Sequence, residues 1–473
     1  MINKKFALSL LFLLTGCFRP HYEPPYVNTP VEWRLETDEA STLCNLRWWE
    51  QFQDPALNEY ILIALRNNQD LKIAIYRVFE YYARLGVVKS DQYPNVTGTA
   101  SYNRIKSSIA VPTGLPIGIN RINNDFQAFL NLNWQLDIWG KIYSETEAAN
   151  AEYLNQIEVR RGVVQTIVTS VANAYIRLRQ LDSQLNVSKR TVESRIESLN
   201  LAVIRFQLGE TSELEVKQAE SELEVAVIAA IEFEREIPIQ ENLLSILMGD
   251  NPHAIARGRS IEAFQYPFNI PAGIPSDLLL RRPDIIGAED LLIAANARIT
   301  VARALFFPQF NLTGLYGSES DKLHLLLTSP AEMWRYGASA VQTIFDANRT
   351  SYLLKIAQSQ TDEAVHNYKQ TILNAFREVD DALISYKKNR ELVLEHEKQV
   401  NVLSDYLHLA QLRYQEGEID YLNVLDAERS LFNAQLDLVQ AQSESFIAVV
   451  QLYGALGGGW IIDADDFALT GCE

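Results

Sequence analysis

The sequence is poor in residues that staple, ligate or break a chain. Three cysteines in 473 residues exclude a disulfide-dense scaffold and any four-cysteine metal cluster. Three methionines leave too few thioethers for a soft-metal path. The six histidines, His21, His253, His324, His366, His396 and His408, show no metal-ligand spacing. Basic residues are also in deficit. There are 42 Lys and Arg against 60 Asp and Glu, a formal charge of -18, and such a balance argues against nucleic acid or anionic lipid as main partners. No catalytic constellation, cofactor motif or metal site stands out, and a mean hydropathy of -0.10 is too polar for a bundle of membrane helices. What is present, 47% hydrophobic and 22% charged residues, is ordinary for a globular protein and excludes wholesale disorder.

Proline is absent from Pro116 to Pro238 and again after Pro330. Those stretches are rich in Ala, Glu, Gln, Leu and Arg, so they read as long helices. From Lys141 to about Phe206 only Gly162 interrupts, and a helix of roughly 65 residues would reach about 100 Å. Its twin runs from about Thr350 to Tyr414. Val365, Ile372, Val379 and Tyr386 recur every seven residues, flanked by Phe376 and Leu383, as in a coiled-coil seam. An ordinary helical hairpin in a soluble bundle would show the same periodicity.

The pairing of two such helices reflects a duplication. Asp70, Ala74, Pro94 and Tyr102 recur 214 residues later as Asp284, Ala288, Pro308 and Tyr316. Arg205-Phe206-Gln207-Leu208-Gly209-Glu210 recurs 208 later as Arg413-Tyr414-Gln415-Glu416-Gly417-Glu418. The offset falls in a loop, where Ile105 to Asn124, with Pro112, Gly114, Pro116 and Gly118, exceeds its counterpart from Ser318 to Glu332. Gly209 and Gly417 sit where left-handed caps end each long helix. Ser212 with Glu215 forms a capping box for the next helix, and Asp420 caps its equivalent.

The other end of each repeat reads as strand. Phe126, Ala128, Leu130, Leu132, Trp134 and Leu136 alternate with a mainly polar set through Asp137, a length that suits a tilted membrane strand. Candidate partners are Asn95 to Arg104, Gln309 to Ser318 and Arg335 to Phe345. A soluble sandwich edge would alternate similarly. If the strands do span a membrane, four of them cannot close, and open edges in hydrocarbon force several chains to share one barrel. An export signal precedes all of this: Lys4 and Lys5, an apolar run from Phe6 to Leu14, then Leu14-Thr15-Gly16-Cys17, which looks like a bacterial lipobox. A plain secretory signal ending in a chance cysteine is the other reading.

Taken in order, the residues resemble the TolC-like outer membrane factors, in particular the lipoprotein branch that serves RND-type efflux pumps. The marks are Trp48-Trp49 with Phe52 and Asp54; Leu65 with Asn68-Gln69-Asp70-Leu71 and Arg77; Asn133 to Lys141; Ile274-Pro275-Ser276-Asp277-Leu278-Leu279 with Arg281-Arg282-Pro283-Asp284; Leu425-Asp426-Ala427-Glu428-Arg429; and Leu456-Gly457-Gly458-Gly459-Trp460. The resemblance implies a mainly α chain with membrane β: a tandem-duplicated unit of long coiled-coil helices and four transmembrane strands. Three copies would form a homotrimeric twelve-stranded β-barrel in outer membrane lipid and a periplasmic helical tunnel. It implies a signal peptide (1–16), a lipidated N-terminal and equatorial segment (17–94) and a first outer membrane strand pair (95–137). Periplasmic helices (138–248), an equatorial segment opening the second repeat (249–308), a second strand pair (309–346), further periplasmic helices (347–456) and a C-terminal tail (457–473) follow.

The function so implied is conduction without chemistry. The chain would be the outer membrane channel of a tripartite efflux system, a passive gated conduit for small molecules delivered by an inner membrane RND transporter, or an ABC transporter, through a periplasmic adaptor. A duct for type I protein secretion, using the same fold, is the alternative. By similarity Leu422, Asp426 and Arg429 line and latch the periplasmic gate, with Asp420 and Asn423 one turn nearer the tip; Asp426 and Arg429 could equally be an exposed i,i+3 pair. The aligned residues of the first repeat are Leu214, Gln218 and Ser221. Arg205, Gly209, Glu210, Arg413, Gly417 and Glu418 mark the adaptor-docking tips, and Cys17 the lipidation site. Both chain ends lie near the equatorial region in the resembled fold, so Cys44 and Cys472 can meet as a disulfide; a buried Cys44 beside a free Cys472 is the alternative.

Overall fold

The computed structural model describes residues 22–30, 33–34, 47–108, 121–264, 275–457 and 459–470. Cys17 and its lipobox, Cys44, Cys472 and the loop residues 109–120 lie outside the described residues. A short 3-10 turn, Trp48–Phe52, leads into α1 (Pro55–Asn67) and α2 (Gln69–Ser90). Strands β1 (Asn95–Lys106) and β2 (Ile122–Leu136) follow, then α3 (Lys141–Gln207) and α4 (Glu213–Leu247). The same order returns as α5 (Pro283–Ala304), β3 (Gln309–Ser320), β4 (Glu332–Val341), α6 (Arg349–Gln415) and α7 (Tyr421–Leu456), and α8 (Gly459–Thr470) ends the chain. The duplication legible in the residues is thus a duplication of structure. Both long helices have 67 residues.

Two departures from expectation have local causes. α4 runs through Pro238, although proline costs about 3 kcal/mol inside a helix. Leu244 and Ser245 are buried beyond it, and that packing holds the final turns in place. β4 spans Glu332–Val341 instead of Arg335 to Phe345. Its partner β3 begins at Gln309, just after Pro308, and offers nothing for Ile344 and Phe345 to pair with. The chain instead turns at Asp346, whose carboxylate accepts bonds from the Thr350 amide (2.9 Å) and hydroxyl (2.5 Å). Asn348 there has a φ of 68°, as Gly140 has 72° at the same point of the first repeat.

The chain divides into two compact units. The sheet unit comprises Val78–Gln156 and Ala288–Tyr368, with described residues up to Tyr26. Its strands form one antiparallel sheet in the order β1-β2-β3-β4. The register pairs Val96 with Leu132, Leu130 with Tyr316, Tyr316 with Trp334 and Gly314 with Tyr336, so these side chains share one apolar face. Thr97, Asn131, Asn133, Asn311, Thr313 and Ser339 share the other. Trp334 and Tyr336 are 64% and 80% exposed, a poor outcome in water and a favourable one in lipid. Among the described residues neither β1 nor β4 has an outer neighbour. Below the sheet Trp139 stacks on Phe307 at 4.8 Å and donates its indole N–H to the Pro308 carbonyl at 2.7 Å. Ala148, Ala151, Ala294 and Ala297 then let α3 and α5 pack closely.

The helical unit comprises Val27–Arg77, Ile157–Gly287 and Lys369–Glu473 in their described parts. Trp48, Trp49, Phe52, Phe446, Tyr453 and Trp460 form its aromatic centre, with Trp48 stacked on Tyr453 at 5.5 Å. The motif residues around them are structural. Asp54 caps α1 through the Ala56 amide (2.9 Å) and accepts from the Tyr175 hydroxyl (2.9 Å) and the Arg259 amide (3.0 Å). Asn68 caps α2 and donates to the Leu247 carbonyl. Arg282 clamps Asp284, Glu378 and the Ala455 carbonyl. α8 gives the C-terminal tail a fixed place, since Asp465 is held by both arms of the buried Arg160. Ile372, Phe376, Val379 and Leu383 of the expected heptad seam are buried.

Candidate gate and docking site

The site is built where α3 turns into α4 and α6 into α7. Gly209 and Gly417 both adopt a φ of 77°, open to glycine and costly for other residues. The Gly209 amide donates to the Phe206 carbonyl and the Glu210 amide to that of Arg205; Gly417 and Glu418 repeat this with Tyr414 and Arg413. Each turn carries a cross-turn ion pair, Arg205 to Glu210 at 3.5 Å and Arg413 to Glu418 at 3.0 Å. Ser212 and Asp420 stand at the expected N-caps, but neither side chain makes the capping bond. Glu215 is engaged elsewhere: its Oε2 accepts the Tyr414 hydroxyl at 2.9 Å.

Beneath the turns Ala202, Ala219, Ala410, Tyr421, Val424, Leu425 and Ala427 form one apolar cluster joining all four helices. Arg205 lies 4.6 Å over the Tyr414 ring, and Tyr414 faces Tyr421 at 5.2 Å. Burial and the Glu215 carboxylate together push the Tyr414 phenol up to about 12. Leu422, Asn423, Asp426 and Arg429 all project from the exposed side of α7, with Asp420 exposed just before it. In the first repeat Leu214 and Ser221 are exposed and Gln218 half-buried.

The structure gives Arg429 a partner other than Asp426. Its Nε donates to Glu222 Oε1 of α4 at 2.6 Å, and that bond raises the Arg429 pKa. Glu222 and Arg195 of α3 are each only 2% exposed, with Arg195 Nη1 3.4 Å from Glu222 Oε2. Glu428 is buried close by, accepting the Ser198 hydroxyl at 3.2 Å, and burial pushes its carboxyl up. Arg195 also faces the Phe432 ring at 5.2 Å. Neither Glu222 nor Arg195 was singled out from the sequence, and Glu428 entered only as part of the Leu425–Arg429 run. One signal was available: Ala174, Leu181, Ser188, Arg195 and Ala202 recur every seven residues and all are buried, so Arg195 is a charge in a seam position.

Among the described residues no group of His, Cys, Asp or Glu is fit to hold a metal. What the arrangement can do is fasten helices by bonds that separate as units. The model of the outer membrane efflux protein family matches residues 61–250 and again 274–458, once per repeat. The solvent efflux pump outer membrane protein SrpC of Pseudomonas putida is 35% identical, over 97% of this chain and 99% of its own. The probable outer membrane lipoprotein SilC of Salmonella typhimurium is 30% identical over 97% and 99%. The crystal structure of the CmeC outer membrane channel of Campylobacter jejuni superposes with a TM-score of 0.88 at 27% identity, covering 94% of this chain and 95% of that one.

Proposed function

The chain belongs to the outer membrane efflux protein family and is an outer membrane channel, not an enzyme; from that premise we propose that it exports small molecules through a gate at the α7 start. The observation that carries the channel reading is the four-stranded sheet, apolar on one face, polar on the other and, among the described residues, unpaired at both edges. Unpaired backbone groups in hydrocarbon cost several kcal/mol each, so strands β1 and β4 must meet strands of further copies. Three copies make the twelve-stranded barrel of the family's fold.

Small-molecule export is favoured over protein secretion by the solvent pump relative and the full-length match to it. The lipoprotein relative supports acylation of Cys17. The working assembly is a trimer with a periplasmic adaptor, docked at the Arg205–Glu210 and Arg413–Glu418 turns, and an inner membrane RND transporter. Leu422, Asp426 and Arg429, with Asp420 and Asn423, form the gate.

The experiment is single-channel recording of the purified protein in planar bilayers, alongside the Asp426→Ala/Arg429→Ala variant. The wild type should conduct poorly and the variant better. A variant that conducts and passes drugs no better than wild type would falsify the gate. Secretion of a polypeptide, with no change in solvent or drug susceptibility on deletion, would transfer the chain to type I secretion.

A further inference from the structure

Arg429 is exposed, yet its guanidinium is not free to turn. It is bonded to Glu222, and Glu222 is buried and lies against the equally buried Arg195, which also donates to the Glu222 main-chain carbonyl. One run of alternating charge therefore joins α3, α4 and α7. We propose that Arg195 and Glu222 are positioning residues of the gate, which hold Arg429 and the start of α7 against α3 and α4 until the run is broken. The inference rests on the gate reading of Arg429.

The physics favours a lock over a loose surface pair. Breaking a buried ion pair by withdrawing one partner leaves an uncompensated charge in a poorly solvated place, so departure of α7 is opposed by more than the bond itself. Nη2 and Nε of Arg195 already lack hydrogen-bond partners, which makes it dependent on Glu222. Burial lowers the Arg195 pKa while Glu222 and Glu428 support its charge.

The duplicated fold does not require this run. At the equivalent places 208 residues away stand Leu403 for Arg195 and Ser430 for Glu222, and Ser221 stands for Arg429. None of these can build it. The charges stand only on the side where they reach α7, the helix that carries the exposed Leu422, Asp426 and Arg429.

The test compares open probability in planar bilayers for Arg429→Ala, Glu222→Gln and Arg195→Leu/Glu222→Ser. The last installs the residues of the other repeat and removes opposite charges together, so assembly should survive even if Glu222→Gln folds poorly. Each should raise open probability by about tenfold, and Glu222→Gln should add nothing to Arg429→Ala, as expected for members of one interaction. If Arg429→Ala opens the channel and neither Glu222 variant does, whatever their melting temperatures, the positioning role is overturned and the gate stands. If Arg429→Ala itself is silent, the gate reading falls and this inference with it.

Discussion

At the first hairpin the chain passes from Arg205 through Gly209 to Glu213, and at the second from Arg413 through Gly417 to Tyr421. Both use a φ of 77°, the same two backbone bonds and the same Arg–Glu pair across the turn. Below the turns the likeness is confined to the apolar contacts. The second hairpin brings a tyrosine, Tyr414, where the first has Phe206, and a buried Glu428 where the first has an exposed Glu220. Backbone geometry was kept where helices must reverse direction, and so were the small apolar contacts where they meet, Ala202 with Ala410 and Ala219 with Ala427; the polar side chains diverged. The second hairpin is therefore the one tied to its neighbours by polar bonds that can be made and broken.

The shared backbone is the first thing to challenge. Gly209→Val and Gly417→Val each force a β-branched residue into the left-handed region and should cost about 1–2 kcal/mol. A Cβ at either site meets nothing within 4 Å, so strain is the whole effect and the two losses should match. Hydrogen exchange read separately at the two turns checks this; a loss confined to one would break the equivalence.

Glu428→Gln probes the divergence. Burial penalises the ionised Glu428, whose raised pKa means that its full contribution is present below the ordinary glutamate value and is lost as pH rises through the raised one. Glutamine removes that loss and should stabilise the protein at neutral pH by about 1 kcal/mol. Glu220→Gln, at an exposed residue paired with Lys217, should change stability by less than about 0.5 kcal/mol. Thermal unfolding between about pH 4 and pH 8 separates them, the wild type losing more stability with rising pH than Glu428→Gln does.

Tyr414→Phe converts the second hairpin toward the first. Loss of the bond to Glu215 should cost about 1 kcal/mol. The phenol's contribution is complete below its ordinary pKa of 10 and disappears toward about 12, so spectrophotometric titration should show one late-ionising tyrosine fewer in the variant. The smallest effect belongs to the turn ion pairs: Glu210→Gln and Glu418→Gln should each shift stability by less than about 0.5 kcal/mol in molar salt or without it. A larger change at Glu418 alone would mean that the turns are not equivalent even at the surface.

The sheet was almost fully legible in advance, because one apolar and one polar face impose a period of two that Phe126 to Leu136 displays openly. The lengths of α3 and α6 were legible because both lack proline and the pattern occurs twice. The end of β4 was not, since Ile344 falls in phase with Trp334, Tyr336 and Ala338 and only the start of β3 after Pro308 removes its partner. The partner of Arg429 was illegible for a different reason. A sequence displays charges three or four apart, which nominates Asp426. Glu222 has only Gln218, Ala219, Val225 and Ala226 at those spacings, so its partner comes from another helix and is set by packing.

The sheet's two unpaired edges have a genetic consequence. Closure needs β1 of every copy to find β4 of another, so a chain with a spoiled edge does not merely fail alone. It is built into rings with sound copies and leaves each ring open. A β4 edge variant, such as Ala338→Pro, which removes a ladder donor and fixes the backbone, should therefore act dominantly when expressed beside the normal gene, whereas a null allele should be recessive.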